Sequence, residues 1–293
     1  MSAFSEKSII PALALVLASA CWASTVIAVA QITGFRFLIG AGVMLLLALA
    51  ARHARDFRSV GWRPFVMGLL EPRAASLFLV WSVVNTSAVS ASVILSTIPI
   101  LMPLLGWIVL REPLRAAVLI GAVITIAGTL LLVQEQGAHA GGSLKGDVLC
   151  VIGVLFICSN QLLARRVALV HGNAMAVSAM QLVAAALLSL AILLAIERPP
   201  VYLARMDTEV IGSLIFIGFM GGAIPFFLYN FGLRHMPLDR LSLFLGLMGP
   251  MGAVMAWAYL KTLIAQTDAI AIAVVVFGIA LPTLVEYVRR HIR

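Results

Sequence analysis

The chain has 293 residues, of which 62% are hydrophobic and 11% charged, with 20 Lys and Arg against 12 Asp and Glu; its mean hydropathy is +1.10. A soluble domain carries roughly 45–50% apolar and about 25% charged residues, so this chain lacks the charge to coat a surface in water and a bilayer is its solvent. That excludes a cytosolic enzyme, a disordered protein and a secreted disulfide scaffold. The basic excess would suggest nucleic acid in a soluble protein and here marks the cytoplasmic ends of helices.

The first apolar stretch follows Lys7 and reaches Ala18-Ser19-Ala20-Cys21, a pattern that a cleaved signal can share. The run continues through Trp22 to Ala30 and the rest of the chain is as apolar, so it is read as the first span. A crossing helix needs about 20 mostly apolar residues. Breaks at charges, Pro and Gly predict an all-α integral membrane protein with ten such helices, over 9–30, 32–51, 64–84, 88–109, 116–133, 147–164, 174–195, 209–232, 238–260 and 268–288. The longest polar stretches, Arg52–Arg63, Gln134–Gly146 and Ile196–Thr208, are too short for a folded soluble domain. Any chemistry therefore lies within the membrane or at its faces. Cys21, Cys150 and Cys158 sit in apolar runs with no paired spacing and read as structural thiols.

With the N-terminus in the cytoplasm, the inside segments hold fourteen Lys and Arg and the outside segments four, Lys145, Arg198, Arg205 and Lys261. This positive-inside bias puts both termini in the cytoplasm. Arg36 and Arg73 fall inside predicted spans.

The second half echoes the first at a constant offset of 150 residues: Gly68 and Gly218, Ser92 and Ser242, Leu95 and Leu245, Trp107 and Trp257, Leu110 and Leu260, Gly128 and Gly278. Five helices per copy is an odd number, so the copies must enter the membrane in opposite senses. The expected units are 1–138 and 139–293, two inverted five-helix repeats, an architecture that places a substrate site between the halves near mid-membrane.

Several short motifs recur in a familiar order. They are Ala20-Cys21-Trp22-Ala23, Phe35-Arg36-Phe37, the run Thr86–Ser92, Pro99, the turn Leu110-Arg111-Glu112-Pro113-Leu114, Gly121 and Gly128, Gly146-Asp147, and Tyr229-Asn230-Phe231-Gly232-Leu233. On these the chain resembles an EamA-type, ten-helix member of the drug/metabolite transporter superfamily, over nearly its whole length. The resemblance implies export or exchange of small metabolites by alternating access, often driven by proton motive force, in a bacterial inner membrane. Two departures stand out. Trp22 and Arg36 are 14 residues apart where the second half has 23 between Cys158 and Gln181, and Lys261-Thr262 stands where the first half has Arg111-Glu112.

Glu71 is the most informative single residue. It lies about 10 Å into the third span from Pro64 at ~1.5 Å per residue, where a charged side chain costs roughly 3 kcal/mol on insertion scales. It is the candidate proton-coupling group; the alternative is a carboxyl facing a watery vestibule or paired with an arginine of another span. Arg36 and Arg73 are the candidate charge partners, although Arg73, two positions along a regular helix, would face another way. Pro72, Pro99, Pro225 and Pro250 fall inside spans, each removing a backbone donor, and are candidate hinges, with static kinks as the alternative. The candidate substrate-binding residues are polar or amphipathic side chains deep in spans: Trp22, Ser24, Trp81, Asn85, Asn160, Gln161, Gln181, Tyr229 and Asn230. Each could instead serve interhelical packing or anchor at the interface.

Few cations fall within spans, which argues against phosphate or sugar-nucleotide cargo and toward amino-acid-like or weakly polar solutes. The expected partners are a small-molecule substrate, the lipid bilayer and protons, with no nucleic acid, cofactor or metal, in a monomer or homodimer. A membrane-embedded enzyme acting on lipid or peptide would need a nucleophile or metal cluster at membrane depth, whereas the five histidines fall in loops or the tail. A passive channel or facilitator is the other alternative.

Overall fold

A computed structural model describes residues 6–26, 33–50, 56–86, 88–134, 143–170, 173–195, 208–248, 250–251, 254–255, 258 and 266–291. The described residues are nearly all helical, without strands, as lipid demands of a chain whose backbone groups must bond within their own segment. In chain order the helices are α1 (Glu6–Val26), α2 (Thr33–Ala50), α3 (Asp56–Val60), α4 (Arg63–Gly68), α5 (Ala75–Asn85), α6 (Ala88–Leu95), α7 (Ile98–Leu110) and α8 (Ala116–Gln134). They continue as α9 (Leu144–Val170), α10 (Ala174–Ala195), α11 (Thr208–Gly218), α12 (Ile224–His235), α13 (Leu238–Leu245) and α14 (Gln266–His291).

Among the described residues six helical stretches are long and apolar enough to cross a membrane: Arg63–Ser82, Val93–Leu110, Leu144–Val170, Ala174–Ile192, Ile211–His235 and Ala269–Arg289. Three shorter apolar helices, Ile9–Trp22, Phe37–Ala50 and Ala116–Leu131, correspond to further predicted spans. The link at 27–32 and most of the ninth window beyond Met248 lie outside the described residues.

Breaks in the helices follow the sequence offset. A π-helical turn, Leu69–Ala74, joins α4 to α5, and another, Phe219–Ala223, joins α11 to α12. Ser96 and Thr97 interrupt the chain between α6 and α7. At the matching positions Gly246 and Leu247 interrupt it after α13, and helix resumes at Met248. The backbone bonds across these interruptions coincide too: Thr97 N–H to Ile94 O at 3.1 Å and Leu101 N–H to Thr97 O at 2.9 Å, against Leu247 to Phe244 at 3.1 Å and Met251 to Leu247 at 2.9 Å. The four candidate hinge prolines sit at or beside these breaks, whereas Pro11, Pro103 and Pro282 lie inside helices. Pro72 lies within the first π turn, while Pro99 and Pro225 occupy the first turns of α7 and α12, where a missing N–H costs nothing. Pro250 lies in a helical, buried position just beyond the second interruption.

Large apolar side chains cover the outside: Leu46, Val84, Trp107, Ile108, Val123, Leu155 and Phe277 are all exposed. Lipid tails are as apolar as the core, so close packing rather than the hydrophobic effect must hold the helices together. Small residues permit it. A Cβ on Gly121 would lie 2.4 Å from the Gly278 carbonyl oxygen, and one on Gly278 would lie 2.7 Å from that of Gly121, so the backbones of α8 and α14 touch. At the first π turn, a Cβ on Gly68 would fall 1.9 Å from the Gln181 carbonyl oxygen of α10. Leu15, Met67, Met102, Val154, Leu233 and Leu241 knit α1, α4, α7, α9, α12 and α13 into one cluster. Phe37, Met44, Leu182 and Phe226 join α2 and α10 to α12 in a second.

Both ends of the bundle are tied by polar contacts. At the arginine-rich end Arg111 adopts the left-handed conformation (φ 57°, ψ 29°) that ends α7, and Glu112 N–H returns to Gly106 O at 3.2 Å. This aims the Glu112 carboxylate inward. Its Oε1 pairs with Arg165 Nε at 2.7 Å and its Oε2 accepts the Leu238 N–H at 2.9 Å. Arg165 also donates to the Leu233 carbonyl, and Glu286 accepts from both Arg115 and Arg240. At the opposite end Thr86 donates to Asp147, and Ser143 N–H bonds the Asn85 carbonyl at 3.2 Å. Gly146 is required there, since its Cβ would meet the Asn85 carbonyl carbon at 2.5 Å.

Candidate functional site

A cavity of about 510 Å³ lies where the broken segments meet. Its wall takes Trp22 from α1, Glu71 and Pro72 from the first π turn, and Ala75, Ser76 and Leu79 from α5. Leu95, Ser96, Ile98 and Pro99 come from the first interruption, and Ser242, Leu245, Gly246 and Met248 from the second. Thr125, Ile126 and Thr129 of α8, Ile157 and Gln161 of α9, and Phe226 and Tyr229 of α12 complete it. The surface is mainly apolar with a few polar groups, the usual make-up of a small-molecule site.

Glu71 is placed by a local failure of the helix. Its backbone is extended (φ −144°, ψ 131°), and the next residue, Pro72, has no N–H to restore the ladder. The exposed Glu71 carbonyl accepts Gln181 Nε2 at 3.0 Å, and its carboxylate Oε2 accepts Asn160 Nδ2 at 2.9 Å. Gln181 Oε1 in turn accepts Asn230 Nδ2 at 3.0 Å, and Asn230 also donates to Ser178 Oγ at 2.9 Å. The Ser178 hydroxyl lies within donating distance of two carbonyls, that of Ala174 at 2.8 Å and that of Phe226, one turn before Asn230 on α12, at 3.1 Å. One buried amide network therefore ties the break beside Glu71 to α9, α10 and α12. Such a network fixes a single arrangement because an unmet amide in lipid is costly.

The aromatic wall is ordered by edge contacts. Trp22 meets Phe226 edge-on with ring centroids 5.4 Å apart and meets Tyr229 at 5.6 Å. Several polar atoms here are buried with no partner among the described residues: Gln161 Oε1, Tyr229 OH and Thr125 Oγ1 on the wall, and Asn160 Oδ1 and Asn230 Oδ1 behind it. Gln161 is 1% and Tyr229 3% exposed.

Of the residues expected at a substrate site, the structure brings Trp22, Gln161 and Tyr229 onto the wall with Glu71, Pro72 and Pro99. Asn160, Gln181 and Asn230 form the layer behind them. Trp81 and Asn85 are elsewhere. Trp81 is 56% exposed on the outside of α5, and Asn85 folds its amide back onto the Trp81 carbonyl at 2.7 Å. The side chains of Ser24 and Arg36 lie outside the described ones. Arg73 is buried without an ion pair to Glu71 among the described residues, and its Nε has no hydrogen-bond partner there. His235, expected in a loop, closes α12 with Nδ1 2.8 Å from the Phe231 carbonyl oxygen.

Sequence reasoning missed the hydroxyls Ser96, Thr125, Thr129 and Ser242, and the node at Ser178. A single hydroxyl in an apolar span commonly bonds its own helix, as Thr129 does to Thr125 O at 2.9 Å, and so gives no signal. The Glu112–Arg165 pair was also missed, although the Leu110–Leu114 turn and Arg165-Arg166 were both visible.

Broken apolar helices around a solute-sized internal cavity define a multi-pass membrane protein built to handle a small molecule. The sequence pattern of the EamA-like transporter family matches residues 9–134 and matches again over residues 144–284. The chain belongs to the EamA-like transporter family, within the drug/metabolite transporter superfamily, and is a membrane transporter. Among its relatives is the uncharacterized transporter YyaM of Bacillus subtilis (strain 168), 21% identical over 250 residues that span 84% of this chain and 81% of that one. A crystal structure described only as that of a protein shares the fold with a TM-score of 0.80 at 22% identity, covering 94% of this chain and 96% of that one.

Proposed function

We propose that the chain is a secondary active transporter that exports or exchanges small organic metabolites by alternating access, with Glu71 as the proton-coupling carboxyl. In this reading ten crossings form two inverted five-helix repeats, 1–138 and 139–293, in a bacterial inner membrane with both termini cytoplasmic.

The observation that carries it is the pairing of helix breaks at one offset, three of which line one cavity. The π turns begin at Leu69 and Phe219, and the interruptions at Ser96 and Gly246, all four 150 residues from their partners. Two copies broken at the same places can exchange conformations, which is what moving one site between two faces requires. In this reading the Glu112–Arg165 pair and the Glu112 bond to Leu238 N–H are the contacts that must open at the arginine-rich end, and Thr86–Asp147 and Ser143–Asn85 those that must open at the other.

Each part of the site has a task. Asn160 donates to the Glu71 carboxylate and orients it, while Gln181 holds the backbone beside it. Trp22, Phe226 and Tyr229 supply amphipathic contact area for the solute. Proton uptake by Glu71 removes a charge from the interior and lowers the cost of carrying that segment through the change of access. Concentrative uptake into proteoliposomes under an imposed pH gradient tests the reading. Accumulation that follows the gradient supports it, gradient-insensitive flux replaces it with a facilitator, and absence of flux across a broad metabolite panel removes it.

A further inference from the structure

We propose that the cavity takes an amphipathic organic amine, a solute with one ammonium group on an aromatic or aliphatic body, held by the Glu71 carboxylate and the faces of Trp22 and Tyr229. The inference names the substrate class of the transport site and rests on that reading of the cavity.

Three observations converge. First, among the described residues on the wall Glu71 is the only acid, and no Lys, Arg or His lines it. A phosphate or free carboxylate would enter beside a carboxylate with no cation to meet it, whereas an ammonium would find an opposite charge in a low-dielectric site. Arg73 is a neighbour in sequence but is not on the wall.

Second, aromatic rings flank the same space. Trp22 stands between Phe226 and Tyr229, with centroids 5.4 Å and 5.6 Å away, and Tyr229 and Cys158 lie within electrostatic reach of Glu71. Ring faces attract a desolvated cation by up to about 2 kcal/mol, Trp most strongly. Rings and carboxylate together recognise an ammonium that is not stripped of all its partners.

Third, two further polar groups on the wall can accept from an ammonium, the Gln161 amide oxygen and the Tyr229 hydroxyl oxygen. Gln161 Oε1 and Tyr229 OH are buried on the wall without a partner among the described residues, and an ammonium brings three N–H donors. The apolar surround from Leu79, Leu95, Ile126, Ile157 and Leu245 suits the body of the solute. A volume of about 510 Å³ falls in the range that holds drug-sized ligands.

The test measures binding to the purified chain in lipid nanodiscs, by calorimetry, for three probes of matched shape: phenethylamine, phenethyl alcohol and 3-phenylpropionate. Phenethylamine should bind about tenfold more tightly than the alcohol, the factor expected of one favourable charge contact, and 3-phenylpropionate should bind least. Glu71→Gln should erase the preference for the amine, and Trp22→Leu should weaken the amine more than the alcohol. The wild-type comparison needs no variant, so a Glu71→Gln chain that fails to fold leaves the test decisive. Equal binding of amine and alcohol, or tighter binding of the carboxylate, overturns the proposal. Binding of phenethylamine without its accumulation in liposomes upholds the site and refutes transport. Accumulation of other solutes by a chain that ignores phenethylamine upholds transport and refutes the substrate class.

Discussion

The two π turns occupy equivalent places and share a backbone irregularity, yet they carry different chemistry. The first, Leu69–Ala74, contains an acid, a proline and an arginine; the second, Phe219–Ala223, contains only Phe, Met, Gly and Ala. At Glu71 the backbone leaves helical geometry, the Gln181 amide of α10 takes up its freed carbonyl and the Asn160 amide of α9 its carboxylate. At the second turn close approach substitutes for side chains: a Cβ on Gly40 of α2 would lie 3.2 Å from the Gly218 carbonyl oxygen and 3.2 Å from the Ala223 nitrogen. The two halves share the place where the chain gives way, and only the first carries a titratable group there. Mechanical softness is thus symmetric in this molecule while ionisable chemistry is not.

The largest test of that contrast concerns folding. Gly68→Ala drives a Cβ into the Gln181 carbonyl and the Ala184 methyl of α10, which are backbone and near-backbone atoms that cannot rotate away. It should cost about 3 kcal/mol, the upper end for overpacking, whereas Gly218→Ala, which meets the Ile39 side chain, should cost about 1 kcal/mol. Thermal unfolding of the detergent-purified variants checks the order, and equal losses would show that the two turns are packed alike. Glu71→Gln comes next. It should cut proton-driven accumulation by about a hundredfold, the low end for loss of a positioned acid–base group, while solute exchange without a gradient persists. Persistence of full gradient dependence would return Glu71 to a structural role.

A smaller effect is expected at the arginine-rich end. Arg165→Ala strands one oxygen of the buried Glu112 carboxylate and the Leu233 carbonyl, at a cost of about 1–3 kcal/mol to the closed state. Labelling of a cysteine placed at Gln161 by a membrane-impermeant maleimide from the arginine-rich side should speed up by about tenfold, the shift that ~1.4 kcal/mol produces. The smallest effect is at Trp81→Phe. Its ring faces outward on α5, so transport should stay within about twofold of wild type, as for surface changes worth under ~0.5 kcal/mol; a larger loss would put α5 in the solute path.

These contrasts also explain what could be read before the structure. Glu71, Pro72 and the offset of 150 were legible because a charge or a proline in an apolar run is rare and costly, and because Gly68 and Gly218 recur in register. Trp22, Gln161, Gln181 and Asn230 were legible as polar or amphipathic groups in need of partners. The face each helix turns inward was not legible. Lipid and core are both apolar, so the periodicity that marks the buried stripe of a soluble helix is nearly absent here, and Trp81 looks no different in sequence from Trp22. Thr125 and Ser242 were hidden for the same reason. The prolines gave the positions of the breaks but not their form: Pro99 and Pro225 begin helices instead of bending them.

The contact of α8 with α14 bears on how such a molecule can move. Gly121 and Gly278 bring two main chains into direct contact, and Gly128 repeats the approach against Ala271 and Val275 one step along. Main chain meets main chain there with only Thr125 and Val275 pressed close alongside, which leaves little room for sliding, so these two helices should travel as a single rigid spar. Whatever swings past Glu71 must swing against this spar, and a covalent staple across the seam should leave turnover unchanged.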